Sequence, residues 1–196
     1  MEINKLKERA YEVAVKHGWY DENWSMIHRI MMVVTELCEA IEADRNGKHA
    51  NRKMFETQLN EMKFDGVWMY CFRQYIKDTV EDEFADAVIR ILTIAGQMGI
   101  VFPEDTLSEE NISKGLRVAN EASKSNLLDR EYTLPEELYM LISDLVALED
   151  ETTHIGEVLF MLMVIAKRRG IDIEWHVEQK MKYNELRTYR HGGKKY

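Results

Sequence analysis

The chain has 196 residues, of which 45% are hydrophobic and 31% are charged, and its formal net charge at pH 7 is −9. This composition is typical of a folded globular protein and excludes a disordered chain. The negative charge argues against general affinity for nucleic acid, and no apolar run is long enough to span a bilayer. We therefore expect a cytoplasmic protein without a nucleic-acid or membrane partner, in which Cys38 and Cys71 are reduced thiols.

Hydrophobic residues recur with the period of a helix along most of the chain, so the sequence predicts an all-α helical bundle. Residues 48–77 are interpreted as a partly helical insertion. The polar run 124–133 is the predicted linker between two units, 1–123 and 134–196, that pack as one globular body. The predicted helices are Ile3–Lys16, 26–44, 79–98, 103–123, 135–150, 154–169 and 173–186.

Two of these helices each carry a pair of acidic residues three positions apart: Glu36 with Glu39, and Glu83 with Asp86. Residues at this spacing share one helix face, about one turn apart. Four carboxylates in an apolar setting would repel one another and lose hydration, and an oxygen-preferring divalent cation relieves both costs. The pattern therefore predicts a site for Mg²⁺, with Mn²⁺ as the alternative, and chemistry on phosphate esters or anhydrides.

The neighbours of the first acidic pair indicate that it faces the interior. The main apolar stripe of this helix consists of Ile27, Ile30, Met31, Val34, Leu37, Cys38 and Ile41. Glu36 and Glu39 lie on the opposite side, beside Val33 and Ala40. An isolated acidic pair is typical of a solvated helix face, but these apolar neighbours favour a second packing partner, and the same holds for the second acidic helix.

A faint internal repeat relates the two halves of the chain. Residues 95–100 and 166–171 both end in Gly-Ile and can be aligned. On this alignment the positions of Glu36, Glu39, Glu83 and Asp86 are taken by Asp144, Ala147, His154 and Glu157, respectively. We interpret the pattern as the duplication of a helix pair whose second, degenerate copy has lost most of its metal ligands.

The C-terminal segment adds a basic motif, because residues 183–195 read Tyr-Asn-Glu-Leu-Arg-Thr-Tyr-Arg-His-Gly-Gly-Lys-Lys. Two acidic pairs in this order, followed by this tail, resemble the MazG-like all-α nucleoside triphosphate pyrophosphohydrolases. The resemblance covers about residues 10–47, 77–101 and 171–196. In close relatives within that family the tail follows the second acidic helix almost directly, whereas residues 102–170 intervene here.

The resemblance implies a MazG-like four-helix core and Mg²⁺-dependent cleavage of a nucleoside triphosphate to a monophosphate and pyrophosphate. It implies that Glu36, Glu39, Glu83 and Asp86 are both the metal ligands and the catalytic residues. It implies a substrate-binding set of Lys180, Tyr183, Asn184, Arg187, Arg190, His191 and Lys194. Relatives of this fold pair two-helix units from different subunits, so the chain is expected to be either a homodimer or a monomer that acts as an internal pseudo-dimer.

Three hypotheses are open at this stage. The chain is a pyrophosphohydrolase acting on ribo- or deoxynucleotides, or it has a dUTPase-like specificity that uses the same acids. In the third hypothesis it is a non-catalytic nucleotide- or metal-binding regulatory or assembly protein, in which the segment 102–170 separates the tail from the acids. Base stacking is assigned to Trp19, Trp68 or Tyr183 without a ranking, and His154 and His176 are expected at the surface or at helix caps.

Overall fold

A computed structural model describes residues 2–124, 130–147, 151–193 and 195, with the backbone alone for residues 151–153. Within these ranges the chain forms nine α-helices and a short terminal turn, without a strand, which confirms the predicted all-α class. None of the helices described is long and apolar enough to cross a membrane. The helices are α1 (Ile3–Lys16), α2 (Met26–Arg45), α3 (Arg52–Glu61), α4 (Val67–Tyr75), α5 (Val80–Gln97), α6 (Glu109–Lys124), α7 (Leu134–Val146), α8 (Glu151–Arg168) and α9 (Ile173–Glu185), and the turn is Arg190–Gly193.

Side-chain caps determine where the two acidic helices begin. At the start of α2, the Ser25 hydroxyl accepts a hydrogen bond from the backbone N–H of His28. The Thr79 hydroxyl accepts one from the backbone N–H of Asp82 at the start of α5. Each cap satisfies a backbone donor that the helix leaves without a partner. The bounds of α1, α2, α5 and α9 agree with the predicted ones to within one residue.

The helix predicted from residue 103 begins later in the structure, so this part of the prediction is wrong. Pro103 and the residues up to Leu107 form turns. The first N–H groups of α6 are satisfied from Ser108, whose hydroxyl accepts a hydrogen bond from the backbone N–H of Asn111. A serine cap therefore decides the start of α6 instead of the proline.

The end of α7 and the predicted linker are described only in part. Helix α7 ends at Val146, before the predicted residue 150, and residues 148–150 lie outside the described residues. Within the predicted linker 124–133, residues 125–129 also lie outside them.

Four helices of the bundle, α2, α5, α8 and α7, pack in a ring. Helix α2 contacts α5 and α7, and α8 contacts the same two helices. Helices α1 and α9 pack against α5 from outside this ring. One hydrophobic core contains residues of all six helices, so the two sequence units share a common interior.

The two halves of the ring end their second helices in the same way. Gly99 after α5 and Gly170 after α8 have φ angles of 68° and 72°. The backbone N–H groups of Ile100 and Ile171 each donate to a carbonyl five residues earlier at 2.9 Å. The same geometry follows α1 at Gly18 and α2 at Gly47, so it is a common helix end that glycine adopts without steric cost, and the duplication stays a prediction.

The buried face of α2 differs from the predicted stripe. Ile27 and Met31 are 75% and 49% exposed, and Cys38 is also exposed. The buried side chains of α2 are Ile30, Val33, Glu36, Leu37, Ala40 and Ala43. The predicted stripe is confirmed at Ile30 and Leu37, which are buried. Its other edge is exposed because α2 packs against both α5 and α7 with a face that includes Glu36 and its apolar neighbours.

Residues 48–77, termed the insertion, form α3, α4 and their connections and pack against α9. Phe55, Cys71, Phe72 and Ile76 of the insertion share a small buried core with Tyr183 of α9. The Phe72 and Tyr183 rings are stacked, with centroids 4.6 Å apart and an interplanar angle of 19°. The insertion therefore supports one side of α9.

Helix α1 approaches α5 closely at Gly96, where an added Cβ would lie 2.6 Å from the Cβ of Tyr11. We expect Gly96→Ala to lower the free energy of unfolding by about 1–3 kcal/mol, because overpacking exceeds the gain of about 1 kcal/mol in helix propensity. Gly156 in α8 is the matched control, since a Cβ there would lie 3.6 Å from Phe102. Urea unfolding that gave Gly96→Ala and Gly156→Ala equal stability would contradict the close packing of α1 on α5.

Candidate active site

A cavity of about 290 Å³ lies between α1, α2, α5 and α9. The loop between α1 and α2, the tail after α9, and Lys77 and Asp78 before α5 also line it, whereas no described residue of α6, α7 or α8 does. The lining includes nine residues of the predicted site: Glu36, Glu39, Glu83, Asp86, Lys180, Tyr183, Asn184, Arg187 and His191. Both acidic pairs and the C-terminal motif therefore meet at one cavity within a single chain, despite the segment between them.

Three of the four predicted metal ligands form a group that we term the carboxylate cluster: Glu36, Glu39 and Glu83. One oxygen from each lies within 4.8 Å of the other two. Oxygens on a six-coordinate Mg²⁺ with bonds of 2.0–2.1 Å are about 3 Å apart when adjacent and about 4 Å apart when opposite. The donor type and spacing of the cluster therefore fit such an ion after small side-chain movements.

Burial makes two members of this cluster difficult to ionise. Glu83 is 4% exposed, and burial together with the charge of Asp86 raises the pKa of Glu83 to about 9. Burial and Asp86 likewise raise the pKa of Glu36 to about 7, although Arg90 partly opposes this shift. Arg90 contacts Glu36 directly. A divalent cation would offset the cost of ionising these groups.

Asp86, the fourth predicted ligand, is held by a lysine instead of joining the carboxylate cluster. The Lys180 ammonium lies 2.7 Å from an oxygen of Asp86 and 2.6 Å from an oxygen of Asp82. Burial lowers the pKa of Lys180, but the carboxylates of Asp86 and Asp82 outweigh burial and raise it above its ordinary value. Lys180, predicted to bind substrate, is thus first of all the centre of a buried charge network.

The sequence prediction missed Asp82, which is 1% exposed. The available signal was its position four residues before Asp86, which places both side chains on one face of α5. Asp82 also belongs to a second group of acids, with Asp78 and Glu83, whose oxygens lie within 4.8 Å of one another. Glu83 is common to both acidic groups found in the described part of the chain.

The tail folds back onto the loop between α1 and α2. The Tyr189 hydroxyl donates a hydrogen bond to Asp21, and Arg190 forms an ion pair with Glu22 at 3.3 Å. Arg190 is not among the residues that line the cavity, so the structure does not bring it to the predicted substrate-binding set. His191 lines the cavity. Lys194, the last predicted substrate-binding residue, lies outside the described residues.

The end of the cavity near this loop is aromatic. Trp19, Tyr20, Trp24 and His28 line it, and the His191 ring centroid lies 4.9 Å from that of Trp19. Of the three predicted stacking residues, Trp68 packs on Phe72 outside the cavity lining, and Tyr183 is 4% exposed with Phe72 on one face. Trp19 is therefore the best placed of the three.

The second copy of the repeat holds no comparable site among the described residues. Asp144, Ala147, His154 and Glu157, which match the four acids, are all exposed. His176 was expected at the surface or at a helix cap, but Asp172 caps α9, and His176 is 5% exposed, with its pKa lowered by burial to about 4. This correction follows from the packing of α9 against α5, which buries one face of α9.

Comparisons of the chain with protein-family models, with curated proteins and with solved structures give no match. A functional assignment therefore depends on the geometry of the cavity and on the resemblance of the sequence motifs.

The raised pKa of Glu83 predicts how stability changes with pH in the metal-free protein. Between the pKa of the unfolded chain, near 4.5, and about 9, folded Glu83 retains a proton that the unfolded chain has lost. Each rise of one pH unit in this window therefore lowers the free energy of unfolding by about 1.4 kcal/mol. We expect Glu83→Gln to become more stable relative to the wild type as the pH rises from 6.5 to 8.5, as measured by urea unfolding in chelator.

Glu136→Gln is the control for this experiment. Hydrogen bonds from Arg130 and Thr133 lower the pKa of Glu136 to about 2, far below the range tested. The stability difference between Glu136→Gln and the wild type is expected to stay constant over this range. A constant difference for Glu83→Gln as well would contradict the raised pKa.

Proposed function

We propose that the chain is a nucleoside triphosphate pyrophosphohydrolase of the MazG-like class that requires Mg²⁺. The observation that carries this proposal is the meeting of the carboxylate cluster with the basic end of α9 at one cavity. Carboxylates alone would repel a triphosphate, and basic residues alone would bind one without activating water. The combination is suited to a complex of a divalent cation and a polyphosphate.

The basic residues divide into two roles. Arg187 lines the cavity, and none of the described carboxylates forms an ion pair with it. Its guanidinium lies 5.4 Å from the centre of the Tyr183 ring, which helps to fix its direction. Arg187 would therefore bind phosphate oxygens in bidentate fashion, assisted by Asn184. Lys180 instead fixes Asp86 and contributes positive charge beside the phosphates.

The chemistry requires water to attack the α-phosphorus while the bond from this phosphorus to the bridging oxygen of the β-phosphate breaks. Glu36, Glu39 and Glu83 would hold the metal, which neutralises the phosphates and lowers the pKa of water. Asp86 lies beside them, outside the carboxylate cluster, and would orient the attacking water by accepting its hydrogen bond. Pyrophosphate leaves, and the nucleoside monophosphate carries the new P–O bond.

The ring of α2, α5, α7 and α8 within one chain supports the internal pseudo-dimer over the homodimer. Arg187 and His191 of the tail lie in the cavity wall, which argues against the non-catalytic alternative, because that alternative supposed that the segment 102–170 kept the tail away from the acids.

Product analysis with Mg²⁺ and a panel of ribo- and deoxynucleoside triphosphates tests the proposal. We expect monophosphate and pyrophosphate from the wild type, and turnover lower by about 100-fold or more in Glu83→Gln and Asp86→Asn. Glu157→Gln, which changes the exposed counterpart of Asp86 in the second copy, is expected to match the wild type. Metal-dependent nucleotide binding without turnover would identify the non-catalytic alternative, and preference for dUTP would identify the dUTPase-like specificity.

The aromatic end of the cavity would bind the base, with Trp19 as the stacking residue. Loss of one base–aromatic stack costs about 1–3 kcal/mol, so we expect Trp19→Ala to raise KM by about tenfold. Trp19→Phe retains an aromatic face and should raise KM less. Steady-state kinetics in which Trp19→Ala kept the wild-type KM would contradict this orientation of the substrate.

A further inference from the structure

Asp82 is an acid in the core of the site that neither acidic pair includes. Its carboxylate accepts hydrogen bonds from the Lys180 ammonium at 2.6 Å and from the backbone N–H of Asp78 at 3.0 Å. Asp82 and Lys180 are 1% and 4% exposed, so almost no solvent screens their interaction.

Stability alone does not account for this pair. Removing two charges from water costs several kcal/mol per ion, and an apolar pair of similar volume is often equally stable or more stable. Lys180 lines the cavity, and Asp82 lies directly behind it, at 2.6 Å from the ammonium. The pair also adjoins Asp86, because the Lys180 ammonium contacts both aspartates, so we expect its role to lie in the site.

The alternative partners of the ammonium indicate what this role is. Lys180 already contacts Asp86. It also contacts Asp82, and an oxygen of Asp82 lies within 4.8 Å of one of Glu83, so the ammonium lies close to the carboxylate cluster. A lysine side chain has a flexible four-carbon stem. Without Asp82, Asp86 would be the one carboxylate described that still contacts the ammonium. The lysine side chain could then turn toward the glutamates of the cluster and neutralise them in place of a metal ion.

We propose that Asp82 is a positioning residue that holds the Lys180 ammonium away from Glu36, Glu39 and Glu83, and so keeps the carboxylate cluster open to a divalent cation. Asp82 acts through Lys180 and touches neither the ion nor the nucleotide. The consequence for turnover rests on the proposed function, whereas the consequence for cation binding does not depend on it.

Calorimetric titration with MnCl₂ alone tests the proposal in three proteins: wild type, Asp82→Asn, and the double variant Asp82→Asn with Lys180→Met. We expect the single variant to bind Mn²⁺ about 10- to 100-fold more weakly, the range typical of changes behind a metal site. The double variant lacks the competing ammonium and should bind Mn²⁺ at least as tightly as the wild type. Its turnover should remain low, because Asp86 is no longer fixed.

If Asp82 only stabilised the fold, the second substitution in the double variant would not restore Mn²⁺ affinity. Lys7→Met is the matched control, because Lys7 is also a buried lysine and donates to the carbonyl of Ile100 at 2.6 Å, away from the cavity. It is expected to change thermal stability and leave Mn²⁺ affinity within about threefold of the wild type.

Two results would overturn the proposal: wild-type Mn²⁺ affinity in Asp82→Asn, or failure of the double variant to recover it. If Asp82→Asn does not fold, the double variant is compared directly with the wild type, and a loss of affinity beyond about tenfold overturns the proposal. A wild type that binds Mn²⁺ without hydrolysing any nucleotide would contradict the proposed function alone.

Discussion

The site depends on the burial of acidic side chains between α2 and α5, where their charges repel and little water reaches them. Glu36 and Glu83 are both under 6% exposed, and each has a pKa raised by burial. Two ion-pairing side chains offset part of this cost: Arg90 pairs with Glu36, and Lys180 pairs with Asp82 and Asp86. These cations balance only part of the negative charge that the fully ionised site would carry, and the proposed divalent cation would balance the rest.

This arrangement requires α9 to lie close against α5, and two parts of the chain outside the bundle hold it there. The insertion packs Phe72 onto Tyr183, one turn from Lys180. At the other end, Tyr189 lies over Gly18, where an added Cβ would be only 2.4 Å from its ring. The insertion and the loop after α1 thus fix both ends of the basic segment, which explains why it meets acids distant in sequence.

Local patterns predicted most of the helices and nine residues of the cavity lining, but they placed the start of α6 too early and included Arg190 in the site. Periodicity and capping residues gave the bounds of α1, α2, α5 and α9, and the motif spacing selected residues that the structure brings together. The network of Lys180 escaped prediction because it joins residues 98 positions apart. The exposure of Met31 and Cys38 was also not predicted, because the packing partners of a helix decide which of its apolar faces is buried, and these partners are distant in sequence.

The ring of four helices has a thermodynamic consequence. Its two halves are joined by covalent bonds, so closing the ring is a unimolecular step that dilution does not oppose, unlike the pairing of separate subunits. The joined halves are also free to differ. Asp144 and Glu157 are exposed and do not line the cavity, so substitutions at these positions do not add to the buried charge of α2 and α5. A symmetric assembly of identical subunits lacks this freedom, because each substitution appears in every copy of the site.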